Sequence, residues 1–139
     1  MSLERNKKVV LEMYQAFDRQ DVERGREFMS VDIVGRGLDA VPHKGIDAFI
    51  KYGMSIFSAF PDGIHVLEEA IAEGDKVVTY GVFKGTHLGE LMGIPATGKQ
   101  IEFSVVHIDR VINNKIVEHW GQADIFSIMQ QIGIVSQQQ

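Results

Sequence analysis

The sequence predicts an α+β fold in which helices come first and a run of antiparallel strands follows. Apolar residues recur at helical spacing as far as Phe60, and from Ile64 the period shortens to that of strands with turn signals between them. A chain of 139 residues, 45% hydrophobic, can bury one substantial core, so a single domain over residues 1–139 is the expected organisation.

The elements follow in order. Ser2 is a plausible N-cap for a helix reaching about Arg19, with Val10, Met13, Tyr14 and Phe17 on one stripe. Asp21 can cap a second, short helix carrying Val22, Phe28 and Met29. Ile33–Leu38 reads as a short strand weakened by Gly35 and Gly37. Beyond Pro42 and Gly45, the residues Ile46, Phe49, Ile50, Gly53, Ile56, Phe57 and Phe60 mark a third helix, ended by Pro61-Asp62-Gly63. Glu73-Gly74-Asp75-Lys76 suits a type II′ turn pairing Ile64–Ala72 with Val77–Thr86. His87–Gly98 is too rich in glycine for a strand and reads as a half-helical loop. A long hairpin, Ile101–Ile112 with Lys115–Ala123, completes the sheet. Asp124–Ile132 then forms a closing helix before Gly133, and residues 136–139 are expected to fray.

Composition excludes several functions. The formal net charge of −5, without any run of Lys or Arg, argues against a nucleic-acid partner and against a membrane surface. No apolar run approaches the ~20 residues of a membrane span, and Met1–Asn6 is too polar for a signal peptide. A soluble, cytoplasmic protein is expected. With no cysteine in the chain, chemistry falls to His, Asp, Glu, Tyr, Lys, Arg and hydroxyls.

His107 and His119 stand on the two arms of the long hairpin, and the turn decides whether they share a face. A two-residue turn at Asn113-Asn114 pairs Ile112 with Lys115, which sets His107 opposite Trp120 and sends His119 to the other side. A three-residue loop, Ile112-Asn113-Asn114, pairs Val111 with Lys115 and places His107 opposite His119. Asparagine tolerates the left-handed backbone of either solution, so both remain open.

The run Gly85-Thr86-His87-x-Gly89-Glu90-x-x-Gly93-Ile94-Pro95-x-Thr97-Gly98 adds a more specific signal. So do His107-Ile108-x-Arg110-Val111, Lys115-Ile116-Val117-Glu118-His119-Trp120 and Gln130-Gln131-Ile132-Gly133. Together they resemble the SnoaL-like polyketide cyclase family. The resemblance implies a nuclear-transport-factor-2-like (ketosteroid-isomerase-like) cone, a strongly curved antiparallel sheet closed by helices around a deep pocket, assembled as a homodimer or higher homo-oligomer. It favours the three-residue loop, because residues matching His107 and His119 point into the family's cavity. In the family's cyclases an aspartate two positions after the second histidine is the general acid/base, and here that position is Gly121. A polar residue that some members carry two positions before the first histidine is Val105 here.

The expected catalytic set is therefore His119 as proton acceptor or carbonyl polariser, His107 as its hydrogen-bonding partner, and Asp124, which reads first as a helix N-cap and only second as a base. Tyr14, Arg36, His43, His87, Val105 and Gly121 are the further candidates for the pocket wall, while Trp120 reads as packing or an oligomer contact. No metal site and no cofactor are expected, since neither hairpin arm offers a third ligand. The functional expectation is a small-molecule pocket acting by acid/base chemistry, of aldol cyclase, isomerase or hydratase type, on a hydrophobic carbonyl or polyketide-like compound. The alternative is a non-catalytic carrier for an apolar metabolite, and a third reading is a plugged interaction module.

Overall fold

The computed structural model describes residues 2–135, so the expected frayed tail lies outside the described residues. Helix α1, Leu3–Asp18, begins where the Ser2 side chain accepts a hydrogen bond from the Arg5 N–H, and it buries Val9, Val10, Met13, Tyr14 and Phe17. Asp21 caps α2, Val22–Arg26, in the same way through the Arg24 N–H. Strand β1 covers Met29–Arg36, earlier than its glycines suggested, and pairs with a two-residue strand β2, His43–Lys44. Helix α3 runs Ile46–Ala59. The remaining strands are β3, Ile64–Glu73; β4, Lys76–Thr86; β5, Gln100–Ile112; and β6, Lys115–Ala123. Helix α4, Ile125–Ile132, closes the chain and stops at Gly133, whose φ of 89° is left-handed.

The six strands form one sheet in the order β2-β1-β6-β5-β4-β3. It is mixed rather than wholly antiparallel, because β1 runs parallel to β6. The connection from β1 to β6 takes in α3 and four strands, so β1 can reach the far edge in either direction, and the open edge of β6 receives it parallel. One face of the sheet is apolar and covered by α1, which contacts β3, β4, β5 and β6. Strict alternation along β5 makes that plain: Ile101, Phe103, Val105, His107, Asp109 and Val111 are buried, and the residues between them are exposed. A register shift between Leu67 and Glu69 bends β3 against β4. At that bend a Cβ on Gly81 would lie 2.1 Å from the Val66 carbonyl oxygen, so no side chain fits there.

The half-helical reading of His87–Gly98 is not what forms. The segment contains a tight turn bridged between Leu91 and Ile94, with Met92 and Gly93 at φ of 49° and 80°. Two successive left-handed residues cannot continue an α-helix. The N–H groups of Leu88 and Gly89 instead bond the carbonyl of Ala59 at 3.0 and 3.1 Å, tying the loop to the end of α3.

Candidate active site

The hairpin that carries the histidines solves its parity in a way neither loop anticipated. Asn113 and Asn114, with φ of 49° and 64°, make a two-residue turn that pairs Ile112 with Lys115, so the three-residue loop is incorrect. A bulge follows at once: Arg110 pairs with Glu118 while Val111 pairs with Ile116, leaving Val117 as the extra residue on β6. That one-residue shift returns His119 to the face of His107. The two are not directly opposite, however. His107 faces Gly121, Asp109 faces His119, and the ring centroids of the two histidines lie 5.6 Å apart.

His107, His119 and Gly121 line an apolar cavity between the sheet, α1 and α3, with about 100 Å³ of free space. A dry cavity of roughly 150 Å³ takes benzene, so the free interior is smaller than that of a one-ring site and a ligand must extend through the mouth. Half-buried Leu38 and Tyr52 and exposed Gln122 mark that mouth. Met13, Phe17, Phe49, Phe57, Phe83 and Phe103 form much of the rest of the wall.

The polar groups cluster around Tyr14. Its hydroxyl donates to Asp109 Oδ2 at 2.7 Å, and the other oxygen of this fully buried carboxylate lies 2.7 Å from His119 Nδ1. Because a carboxylate only accepts, Nδ1 carries the hydrogen of this bond, and in the neutral ring the lone pair is then on Nε2. The Tyr14 hydrogen is already committed to Asp109, so its 3.4 Å approach to His119 Nδ1 is adjacency rather than a second bond. Burial, reinforced by the Asp109 charge, raises the Tyr14 pKa well above 10.0 and keeps the phenol protonated. His107 stacks on Tyr14 with centroids 4.6 Å apart, and its Nδ1 lies 3.4 Å from the Thr79 hydroxyl. Burial, then the neighbouring His119 and His65, holds the His107 pKa well below 6.5, so this ring is neutral at pH 7.

Gly121 matters through what it does not carry. A Cβ there would sit 3.1 Å from His119 Nε2 and 3.4 Å from His107 Cδ2. The glycine thus leaves the free nitrogen of His119 facing open space. Val105 lines the cavity beside it.

Other sequence candidates lie elsewhere. Asp124 accepts from the Ser127 N–H at 3.0 Å as the N-cap of α4 and does not line the cavity. Arg36 places its guanidinium 4.4 Å over the Trp120 ring on the opposite side of the sheet. His43 is paired with Asp39 at 3.0 Å and stacked on Tyr52, so it touches the mouth only through that tyrosine. His87 is buried outside the cavity against Phe60, with Nδ1 3.0 Å from the Thr97 hydroxyl. Two residues that sequence reasoning passed over take their place. Asp109 was legible, since it follows His107 by two positions and strand alternation puts both on one face. His65, 5.4 Å from His107 between centroids, reaches the cavity from β3 and had no comparable signal. Among the described residues, no three His, Asp or Glu side chains are grouped as a metal ion would require.

The profile of SnoaL-like polyketide cyclases matches residues 8–132. The chain belongs to that family. Among characterised relatives, it is 27% identical to the aklanonic acid methyl ester cyclase DnrD of Streptomyces peucetius, over 90% of this chain and 88% of that protein. It is 28% identical to the nogalonic acid methyl ester cyclase of Streptomyces nogalater, over 87% and 92%. Two crystal structures share the architecture throughout. IdmH of Streptomyces antibioticus, provisionally named a polyketide cyclase, superposes with a TM-score of 0.81 at 29% identity, over 92% of this chain and 98% of that one. AclR of Streptomyces galilaeus, provisionally named a hydroxylase, gives 0.87 at 28%, over 99% and 87%. The α+β cone expected from the sequence is therefore the fold of this family, with the mixed sheet as its amendment.

Proposed function

We propose that this protein is a cofactor-independent acid/base enzyme that closes a ring by aldol chemistry in a hydrophobic carbonyl compound. The observation that supports it most is the Tyr14–Asp109–His119 chain, with both oxygens of Asp109 occupied and Nε2 of His119 left free beside Gly121. In this reading His119 Nε2 takes a proton from a carbon next to a carbonyl, and buried Asp109 balances the imidazolium that forms. Neutral His107, accepting from the Thr79 hydroxyl at Nδ1, offers Nε2–H to the developing enolate oxygen. Asp109 acts as a positioning residue.

A small neutral triketone tests this reading: a cyclohexanedione bearing a methyl and an oxobutyl group between its carbonyls. Its side-chain ketone condenses with a ring carbonyl to a bicyclic ketol. The wild-type protein is expected to speed both deuterium uptake at the side-chain α-carbon in heavy water and ketol formation, and His119→Gln to abolish both. Saturable binding without either reaction would instead favour the carrier reading.

The same proposal includes a homodimer. On the sheet face away from the cavity, Ile71, Val106, Ile108 and Trp120 are 39–51% exposed, and an apolar sheet face of this kind suits a second copy of itself. Sedimentation velocity should show a dimer that Trp120→Glu dissociates. A cytoplasmic location, consistent with a chain that needs no disulfide, completes the proposal and is testable by cell fractionation.

A further inference from the structure

Proton abstraction by His119 leaves a second imidazole–carboxylate pair of the same cavity unused. Asp18, the last residue of α1, sets Oδ1 2.7 Å from His65 Nδ1, and the two carboxylate oxygens also accept the His65 backbone N–H at 3.2 and 3.1 Å. The two side chains are only 15% and 12% exposed. The His65 ring lines the cavity, packed 5.0 Å from Tyr14, 5.0 Å from Phe83 and 5.4 Å from His107 between centroids. No group among the described residues bonds its Nε2. Fastening the end of α1 to β3 requires only the Asp18 carboxylate and the backbone N–H. An imidazole with Nδ1 held and Nε2 open to a cavity is the arrangement that His119 also has.

We infer that His65, oriented by Asp18, is a second proton-transfer group of this cavity and serves as the acid of ring closure while His119 serves as the base. The inference rests on the acid/base reading above. His119 Nε2 removes a proton from the α-carbon, and the C–H electron pair becomes the enolate. The enolate carbon then bonds to a second carbonyl carbon, whose π pair moves onto oxygen. That oxygen takes a proton from Nε2 of doubly protonated His65. Asp18 balances the charge on His65 before the step and Asp109 balances that on His119 after it. One proton is taken and one is given, and the cycle resets by proton return through solvent. The groups facing the His65 ring are Asp18 and Tyr14 from α1, Phe57 from α3, Phe83 from β4 and His107 from β5.

The triketone separates the two roles, because deuterium uptake needs only the base whereas ketol formation needs both groups. His65→Gln should keep α-carbon exchange within about threefold of wild type while ketol formation falls by about 10²-fold or more, the scale of a lost general acid. Asp18→Asn should lower ketol formation in the same sense and shift its pH profile, with exchange retained, and Asp18→Glu should recover part of it. Melting curves identify any variant that fails to fold, and Asp18→Asn, which keeps an acceptor for the backbone N–H, then carries the test. Equal loss of exchange and closure in folded His65→Gln, or no loss of either, would overturn the assignment of His65 alone. A wild-type protein inert in both readouts would overturn the acid/base reading and this one with it.

Discussion

Replacing Asp109 by asparagine removes one charge and almost no volume, and its consequences can be worked out atom by atom. The carboxylate receives two donors, the Tyr14 hydroxyl at 2.7 Å and the His119 Nδ1–H at 2.7 Å. A carboxamide offers one acceptor oxygen and one N–H₂ group, so one donor must meet another donor. If the oxygen stays with Tyr14, His119 can only accept at Nδ1, its proton moves to Nε2, and the atom facing the cavity stops being a base. If the oxygen turns to His119, the Tyr14 hydroxyl is left to accept, with its own hydrogen unpaired in the core. A mispaired buried donor costs about 1–3 kcal/mol of stability. Loss of the base costs about 10²–10⁴ in rate, equivalent to roughly 3–5 kcal/mol at 1.36 kcal/mol per decade. Deuterium uptake into the triketone, measured across pH beside urea unfolding of the same preparations, reads both terms. Exchange within threefold of wild type at every pH, in a folded Asp109→Asn protein, would refute the claim that Asp109 sets the His119 tautomer.

Gly121→Ala should push the His119 ring aside by a few tenths of an ångström, since its Cβ would lie 3.1 Å from Nε2, and lower exchange about tenfold; unchanged exchange would show that the open space beside Nε2 is not used. Asp124→Ala should cost about 0.5–2 kcal/mol, as loss of an N-cap does, and leave ketol formation unaltered in stopped assays; loss of turnover at unchanged stability would return Asp124 to the site. Stability should also respond to pH in a definite sense. The folded His107 pKa lies well below 6.5, so as pH falls through 6.5 the unfolded chain binds a proton that the folded one refuses, and stability declines until pH passes the folded value. Tyr14 acts oppositely: its contribution is fully present below 10.0 and disappears as pH rises through the elevated folded pKa. Urea titrations of His107→Gln should show a flatter acid limb than wild type, and an equally steep limb would remove His107 as its cause.

Local rules carried most of the architecture because each acts over a few residues. Ser2, Asp21 and Asp124 announce helix starts by capping chemistry, Gly133 announces a stop, and the alternation in β5 fixes which residues face inward. The same alternation sets Asp109 on the face of His107, whereas Asp124, the first carboxylate after Gly121 in the chain, is the N-cap of α4. Three features were not local. The parallel seat of β1 depends on which sheet edge is free after four other strands have paired. The loop at His87–Gly98 takes its path from hydrogen bonds to Ala59, a residue of another element. The hairpin register depends on a bulge at Val117, which no turn residue encodes.

The sequence by itself determined the α+β class and the family, and it set His107 and His119 on the two arms of one hairpin, since strand period and short motifs suffice for these. Tertiary structure alone decided that Tyr14 holds Asp109, that Asp109 holds His119, and that Asp18 holds His65 on the same cavity. Those partners lie 95, 10 and 47 residues apart in the chain. Proton chemistry depends on which atoms meet across such gaps, and only the packing of α1 onto the bent sheet brings them together.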